Sequence, residues 1–231
     1  PMLSVHEGLS CRQVIEAVRR GMERGKEDFQ VHYGIIVCAM RNHSEEQNLA
    51  MLKCAREYLG EGVCALDLAG DESAFPTAQY RNIFQEAKRL GMPYTIHSGE
   101  TGSLENVREA WELGAARIGH GIALKKAPEL MKAYARAGIG VEMCPTSNFQ
   151  TKAVQTWQDY PLLQFLDAGI KASINTDNRT VSGTTMTREL TQIYEQYGQD
   201  EELILTLLRN AADTAFDSEI REIFEKKWKG I

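Results

Sequence analysis

An α/β domain of barrel type is what this sequence predicts, on three observations. Apolar, β-branched runs alternate with amphipathic helical stretches from end to end, and the connections are short, which makes neighbouring strands parallel. Polar or glycine-containing groups also stand at the C-terminal ends of five of the six runs. In a barrel those ends converge on one rim, where the active site lies. A doubly wound open sheet instead gathers its ligand groups at a switch point and usually shows a glycine-rich phosphate turn after its first strand. No G-x-G-x-x-G or phosphate-loop pattern occurs, so the barrel fits better. With 231 residues the chain sits just below the roughly 250 typical of eight units, and it holds about six strand–helix units of a (β/α) barrel of TIM type.

The elements follow in order. Leu9-Ser10 opens a helix in which Val14, Ile15, Val18 and Met22 recur at helical spacing. Val31 to Cys38 is a β-branched strand, and residues 45–59 form a helix with Leu49, Leu52 and Ala55 on one face. Strand 63–68 ends in Ala69-Gly70-Asp71-Glu72, and a helix over 78–90 leads to the strand Tyr94-Thr95-Ile96-His97. Then come a helix (104–113), a strand (116–120), a helix (128–136), a strand (138–144), a short helix (161–167) and the last strand (170–177). The tail is helical in three pieces, 184–197, 201–214 and 218–228. No internal repeat, low-complexity tract or linker interrupts the alternation, so residues 1–231 read as one domain.

Composition excludes several classes. A net charge of −6 without a basic stripe argues against a nucleic-acid surface. There is no signal peptide and no 18-residue apolar run, so neither export nor membrane insertion is expected. The five cysteines (Cys11, Cys38, Cys54, Cys64, Cys144) are odd in number and form no C-x-x-C pair, which points to neither a disulfide framework nor a zinc ribbon. Cys38, Cys64 and Cys144 lie in apolar runs and read as buried thiols, and a reducing cytoplasm fits best.

The chemistry-bearing residues cluster at strand ends. His97 and Asp177 are the best metal-ligand candidates, one imidazole and one carboxylate. Glu100, three residues past His97, is placed to act as a general acid. His120 is flanked by Gly119 and Gly121, which let the backbone approach closely or turn sharply. Gly70 either offers a backbone N–H to a ligand or simply makes a turn.

In order and spacing, five segments resemble the adenosine deaminase family of zinc-dependent barrel hydrolases. They are Asp67-Leu68-Ala69-Gly70-Asp71-Glu72, His97-Ser98-Gly99-Glu100, Arg117-Ile118-Gly119-His120-Gly121, Cys144-Pro145-Thr146-Ser147-Asn148 and Asn175-Thr176-Asp177-Asn178. The resemblance covers the chain from about Leu9 to the C-terminal helices. It implies a metal-dependent hydrolase in which His97 and Asp177 are ligands to one zinc ion. Glu100 would give a proton to purine N1, His120 would orient or deprotonate the attacking water, and the Gly70 amide would meet purine N3. The implied reaction is hydrolytic deamination of adenosine or 2'-deoxyadenosine at C6, giving the 6-oxo purine and ammonia. Where vertebrate-type members carry a second Asp, this chain has Asn178, a familiar bacterial alternative. An amide NH₂ donates to purine N7 without needing a proton of its own, so Asn178 is expected to keep that contact.

One departure matters more. The family takes two further zinc ligands from a His-x-His pair on its first strand, and no His-x-His occurs here. His6, His32 and His43 are isolated and read as structural or surface residues. Two ligands fall short of the three that catalytic zinc usually takes from protein, and six units fall two short of a closed barrel. Both shortfalls point to an N-terminal part that is not in the sequence. The chain is therefore expected to be the C-terminal two-thirds or more of such an enzyme, with little activity alone. A missing N-terminal segment or a second chain would complete the barrel and the ligand set. Two alternatives stay open: a deaminase of adenine or another 6-aminopurine, and a non-catalytic barrel remnant serving as a binding or assembly module.

Overall fold

The computed structural model describes residues 1–5 and 8–228. His6 lies outside the described residues. The chain forms two compact units, Pro1–Ile96 and His97–Ile231.

In the first unit, helix α1 (Cys11–Phe29) begins at Ser10, whose hydroxyl accepts from the Gln13 N–H while the Gln13 side chain accepts from the Ser10 N–H. This reciprocal pairing satisfies two of the donors that a helix start leaves open. Strand β1 (Ile35–Met40) starts four residues later than the apolar run from Val31 suggests. The reason is pairing: Ile35 is the first residue with a parallel partner, Val63 of β2 (Val63–Ala69). His32 is thus left in an exposed loop ahead of the strand. Helix α2 (Glu45–Arg56) buries Met51, Leu52 and Ala55 and is tied to the end of β1 by Asn48. The Asn48 side chain accepts from Met40 N at 3.1 Å and donates to Met40 O at 3.0 Å. Helix α3 (Arg81–Arg89) buries Ile83, Phe84 and Ala87, and a parallel bridge joins Leu66 of β2 to Tyr94.

The second unit carries a four-stranded sheet in sequence order, made of β3 (Thr95–Ser98), β4 (Arg117–His120), β5 (Gly140–Met143) and β6 (Lys171–Ile174). The β4–β5 and β5–β6 pairs are parallel, with Ile118, Val141 and Ala172 side by side across them. All three are fully buried, and this layer of branched and small side chains is the centre of the unit's core. Helices α4 (Leu104–Leu113) and α5 (Pro128–Ala137) connect the first three strands. Two short helices were not expected from the sequence: α6 (Pro145–Gln150) directly after β5 and α8 (Arg179–Ser182) directly after β6. Between them lies α7 (Leu162–Asp167), and α9 (Met186–Gln196), α10 (Glu201–Asp213) and α11 (Ser218–Lys227) complete the chain.

The C-terminal helices are anchored by polar contacts as well as by packing. Asn210 of α10 donates to the Ala172 carbonyl at 3.0 Å. Arg117 pairs with Glu142 at 2.5 Å, donates to Thr214 O at 2.9 Å and lies 4.1 Å above the Phe216 ring. Among the described residues six strands are present, and no helix is long and apolar enough to cross a membrane. The five cysteines are free thiols, with Cys144 buried and the other four half-buried.

Candidate active site

Strand β3 ends by presenting His97, and Gly119 on the neighbouring strand β4 makes room for it. A Cβ on Gly119 would stand 3.3 Å from both Cα and Cγ of His97, tighter than side chains ordinarily pack, so only glycine lets the strand lie this close to the ring. One residue on, His120 is 1% exposed, and its ring meets that of His97 edge-on with centroids 5.2 Å apart. Nε2 of His120 lies 3.6 Å from Oε2 of Glu100, whose side chain keeps 26% exposure. The acid candidate, the buried imidazole and the first metal-ligand candidate thus meet within a few ångströms.

The remaining contacts come from α6. Pro145 stands at its first helical position, where the missing N–H costs nothing. The helix turns Ser147 and Asn148 towards the strand ends. Asn148 Nδ2 lies 2.9 Å from His120 Nδ1, and Ser147 Oγ donates to Asp177 Oδ2 at 2.7 Å. Glu189, on α9 and fully buried, accepts from Thr146 N at 3.0 Å and from the Thr184 hydroxyl, fastening the start of α6. Ser147, Asn148 and Glu189 were given no role from the sequence. The first two lie inside a recognised motif, whereas nothing in the pattern around Glu189 marks it.

Backbone strain falls on two of the candidates. His120 (φ 63°) and Asp177 (φ 53°) are both in the left-handed region, which non-glycine residues visit rarely and at a cost. Asp177 and Asn178 are exposed. Asn178 caps α8, its Oδ1 accepting from Val181 N at 3.0 Å. That bond fixes the amide orientation and turns its NH₂ away from the helix. Gly70 follows β2 in the first unit at φ 112°, and a Cβ there would meet Arg41 Cβ at 3.3 Å, so the backbone here requires glycine.

Cys144, between β5 and α6, is held in its thiol form. Burial, followed by the charges of Asp177, Glu142, Glu100 and Glu189, pushes it well above the ordinary thiol range. A thiol held protonated is not a nucleophile. The metal-ligand candidates from the sequence, His97 and Asp177, offer an imidazole and a carboxylate, and Ser147 holds the latter by its hydroxyl. These donor types suit zinc. Among the described residues, no group of three or more His, Cys, Asp or Glu side chains is arranged to hold a metal.

The adenosine deaminase family profile matches residues 1–226. This chain belongs to the adenosine deaminase family. It is 40% identical over 216 residues to an adenosine deaminase of Enterococcus faecalis, an alignment that takes in 94% of this chain and 64% of that protein. The chain therefore spans just under two thirds of that relative's length. Among solved structures, a zinc-bound amidohydrolase from Burkhoderia ambifaria matches with a TM-score of 0.88 at 21% identity, over 96% of this chain and 63% of that one. An adenine deaminase from Arthrobacter aurescens matches with a TM-score of 0.85 at 22% identity, over 96% of this chain and 70% of that one. These two likenesses establish the fold as that of amidohydrolase- and deaminase-type structures, while the family rests on the profile and on the Enterococcus relative.

Proposed function

We propose that this chain supplies the catalytic rim of a zinc-dependent purine deaminase, acting on adenosine or 2'-deoxyadenosine and releasing ammonia and the 6-oxo purine. The observation that carries the reading is the approach of His120 Nε2 to Glu100 Oε2, 3.6 Å, with the His97 ring against the same imidazole. His97 and Asp177 would hold the metal, with two further ligands and two further strand–helix units coming from an N-terminal segment or a second chain. The complete assembly would be one closed β/α barrel, and this chain alone would turn over little or no substrate. When bound, zinc lowers the pKa of a water from 15.7 to about 7 and so supplies hydroxide at neutral pH.

The chain's own residues would do the rest. Glu100 would carry a proton to purine N1. A bound ring over its exposed quarter would complete its desolvation and favour the protonated form that the transfer needs. His120 would orient or deprotonate the attacking water. Asn178, with its Oδ1 committed to α8, has its NH₂ available for purine N7. The Gly70 amide would meet purine N3. The sequence relatives named adenosine deaminase support the nucleoside reading. The adenine deaminase with the same fold keeps the free base as the second reading, and the binding-module reading requires that no substrate be turned over.

The test is to join the chain to the N-terminal segment of the Enterococcus relative and follow adenosine and adenine by ultraviolet absorbance. Deamination of adenosine in preference to adenine is expected. Glu100→Gln should retain the metal and lose turnover, and near-normal activity in that variant would refute the acid role.

A further inference from the structure

Asn148 is fully buried on α6, and its side-chain Nδ2 lies 2.9 Å from Nδ1 of the equally buried His120. A neutral imidazole has one donor and one acceptor nitrogen, so this contact and the one on the far side of the ring together decide which is which. On the far side, Nε2 faces Glu100 Oε2 at 3.6 Å. A proton on Nε2 makes that approach attractive to an ionised carboxylate, whereas a lone pair there would oppose it.

The amide gives an independent argument. With Nδ2 towards the ring, one of its two N–H groups is used, and Asn148 Oδ1 is left without a protein partner. Turned over, the amide would accept from an Nδ1–H, but its two N–H donors would then occupy the place where the oxygen now finds no partner. That would leave two buried donors open in place of one donor and one acceptor, and buried N–H groups go unmade more rarely than carbonyl oxygens do. Both contacts select the same proton position.

We propose that Asn148 is a positioning residue that holds His120 in the tautomer with the proton on Nε2 and the lone pair on Nδ1. Pro145, Thr146 and the buried Glu189 fix the start of the helix that carries it, so the amide is presented rigidly. The consequence for catalysis rests on the deaminase reading above. With a donor at Nε2, His120 holds the oxygen of an attacking water in place and does not take its proton, which chooses between the two roles that the site alone leaves open.

The test reads the tautomer directly. The chain is labelled with ¹⁵N-histidine, and a long-range ¹H–¹⁵N spectrum is recorded at neutral pH, with the His120 signals identified by their loss in His120→Gln. Nε2 is expected at a protonated, pyrrole-type shift and Nδ1 at an unprotonated, pyridine-type shift. In Asn148→Asp, whose ionised carboxylate only accepts, Nδ1 should take up a proton and move to a protonated, pyrrole-type shift. A wild-type spectrum with the proton on Nδ1 overturns the proposal, as does an unchanged pattern in folded Asn148→Asp. Should that variant fail to fold, Asn148→Ala serves: averaged shifts from mixed tautomers are expected, and a retained pure Nε2–H pattern overturns the proposal. Because the readout needs no turnover, an absence of deaminase activity alongside the expected spectrum would count against the deaminase reading alone.

Discussion

Replacing Gly99 by alanine isolates how tightly the turn bearing Glu100 is built. Gly99 has φ 81°, and a Cβ there would stand 2.5 Å from Val107 Cγ2, 3.2 Å from Ala123 Cβ and 3.3 Å from Ala123 N. Ala123 cannot withdraw easily, because its N–H donates to Gly99 O at 2.9 Å. Val107 is itself fully buried. A left-handed alanine costs about 1–2 kcal/mol, and forcing a methyl into a packed site adds about 1–3 kcal/mol. Gly138→Ala is the control: it has φ 69° with nothing within 4 Å of the added Cβ, so it carries the backbone cost without the clash. Both variants also lose unfolded-chain entropy, and that effect cancels in the comparison. At a urea m-value of about 3 kcal/mol/M, Gly99→Ala should unfold about 0.3–1 M earlier than Gly138→Ala. Equal midpoints for the two variants would refute the claim that this turn is packed against α4.

Three further outcomes follow from the contacts at the site and from one half-buried phenol and one half-buried thiol. Glu189→Ala strands two donors, the half-buried Thr146 N and the buried Thr184 hydroxyl, and should cost about 2–3 kcal/mol in urea unfolding; a loss below about 1 kcal/mol would contradict its role as a brace. Ser147→Ala frees the Asp177 carboxylate and should weaken zinc binding about 10–100-fold in a chelator competition on the completed protein; unchanged affinity would separate Ser147 from the metal. Alkaline stability should fall: Tyr33 is raised from 10.0 to about 12 by burial and by its 2.6 Å bond to Glu23, and Cys11 from 9.0 to about 12, chiefly by burial. Their protonated forms are favoured in the folded state, so this stability is whole below about pH 9 and is lost as pH rises towards 12, and a urea midpoint flat across that window would contradict it.

What was legible in the sequence were the places where chemistry interrupts a regular pattern. His97, His120 and Asp177 stand out because each ends or follows an apolar run, and the structure brings His97, Glu100 and His120 together. Strand limits were less legible. The run from Val31 looks like strand from its first residue, but β1 starts at Ile35 because pairing with β2, not local composition, sets where a strand begins. Helices α6 and α8 escaped notice because, at six and four residues, each is too short to show a helical period. Asn148 and Glu189 were the hardest to read: their partners lie 28 and 43 residues away, and only the fold supplies such contacts.

The most direct test of the account is metal content and turnover measured on one sample of the chain joined to an N-terminal segment that restores two histidine ligands. The account predicts one zinc per assembled barrel and steady adenosine deamination, with both lost in His97→Ala and in Asp177→Ala. Full zinc occupancy and undiminished turnover in either variant would contradict it.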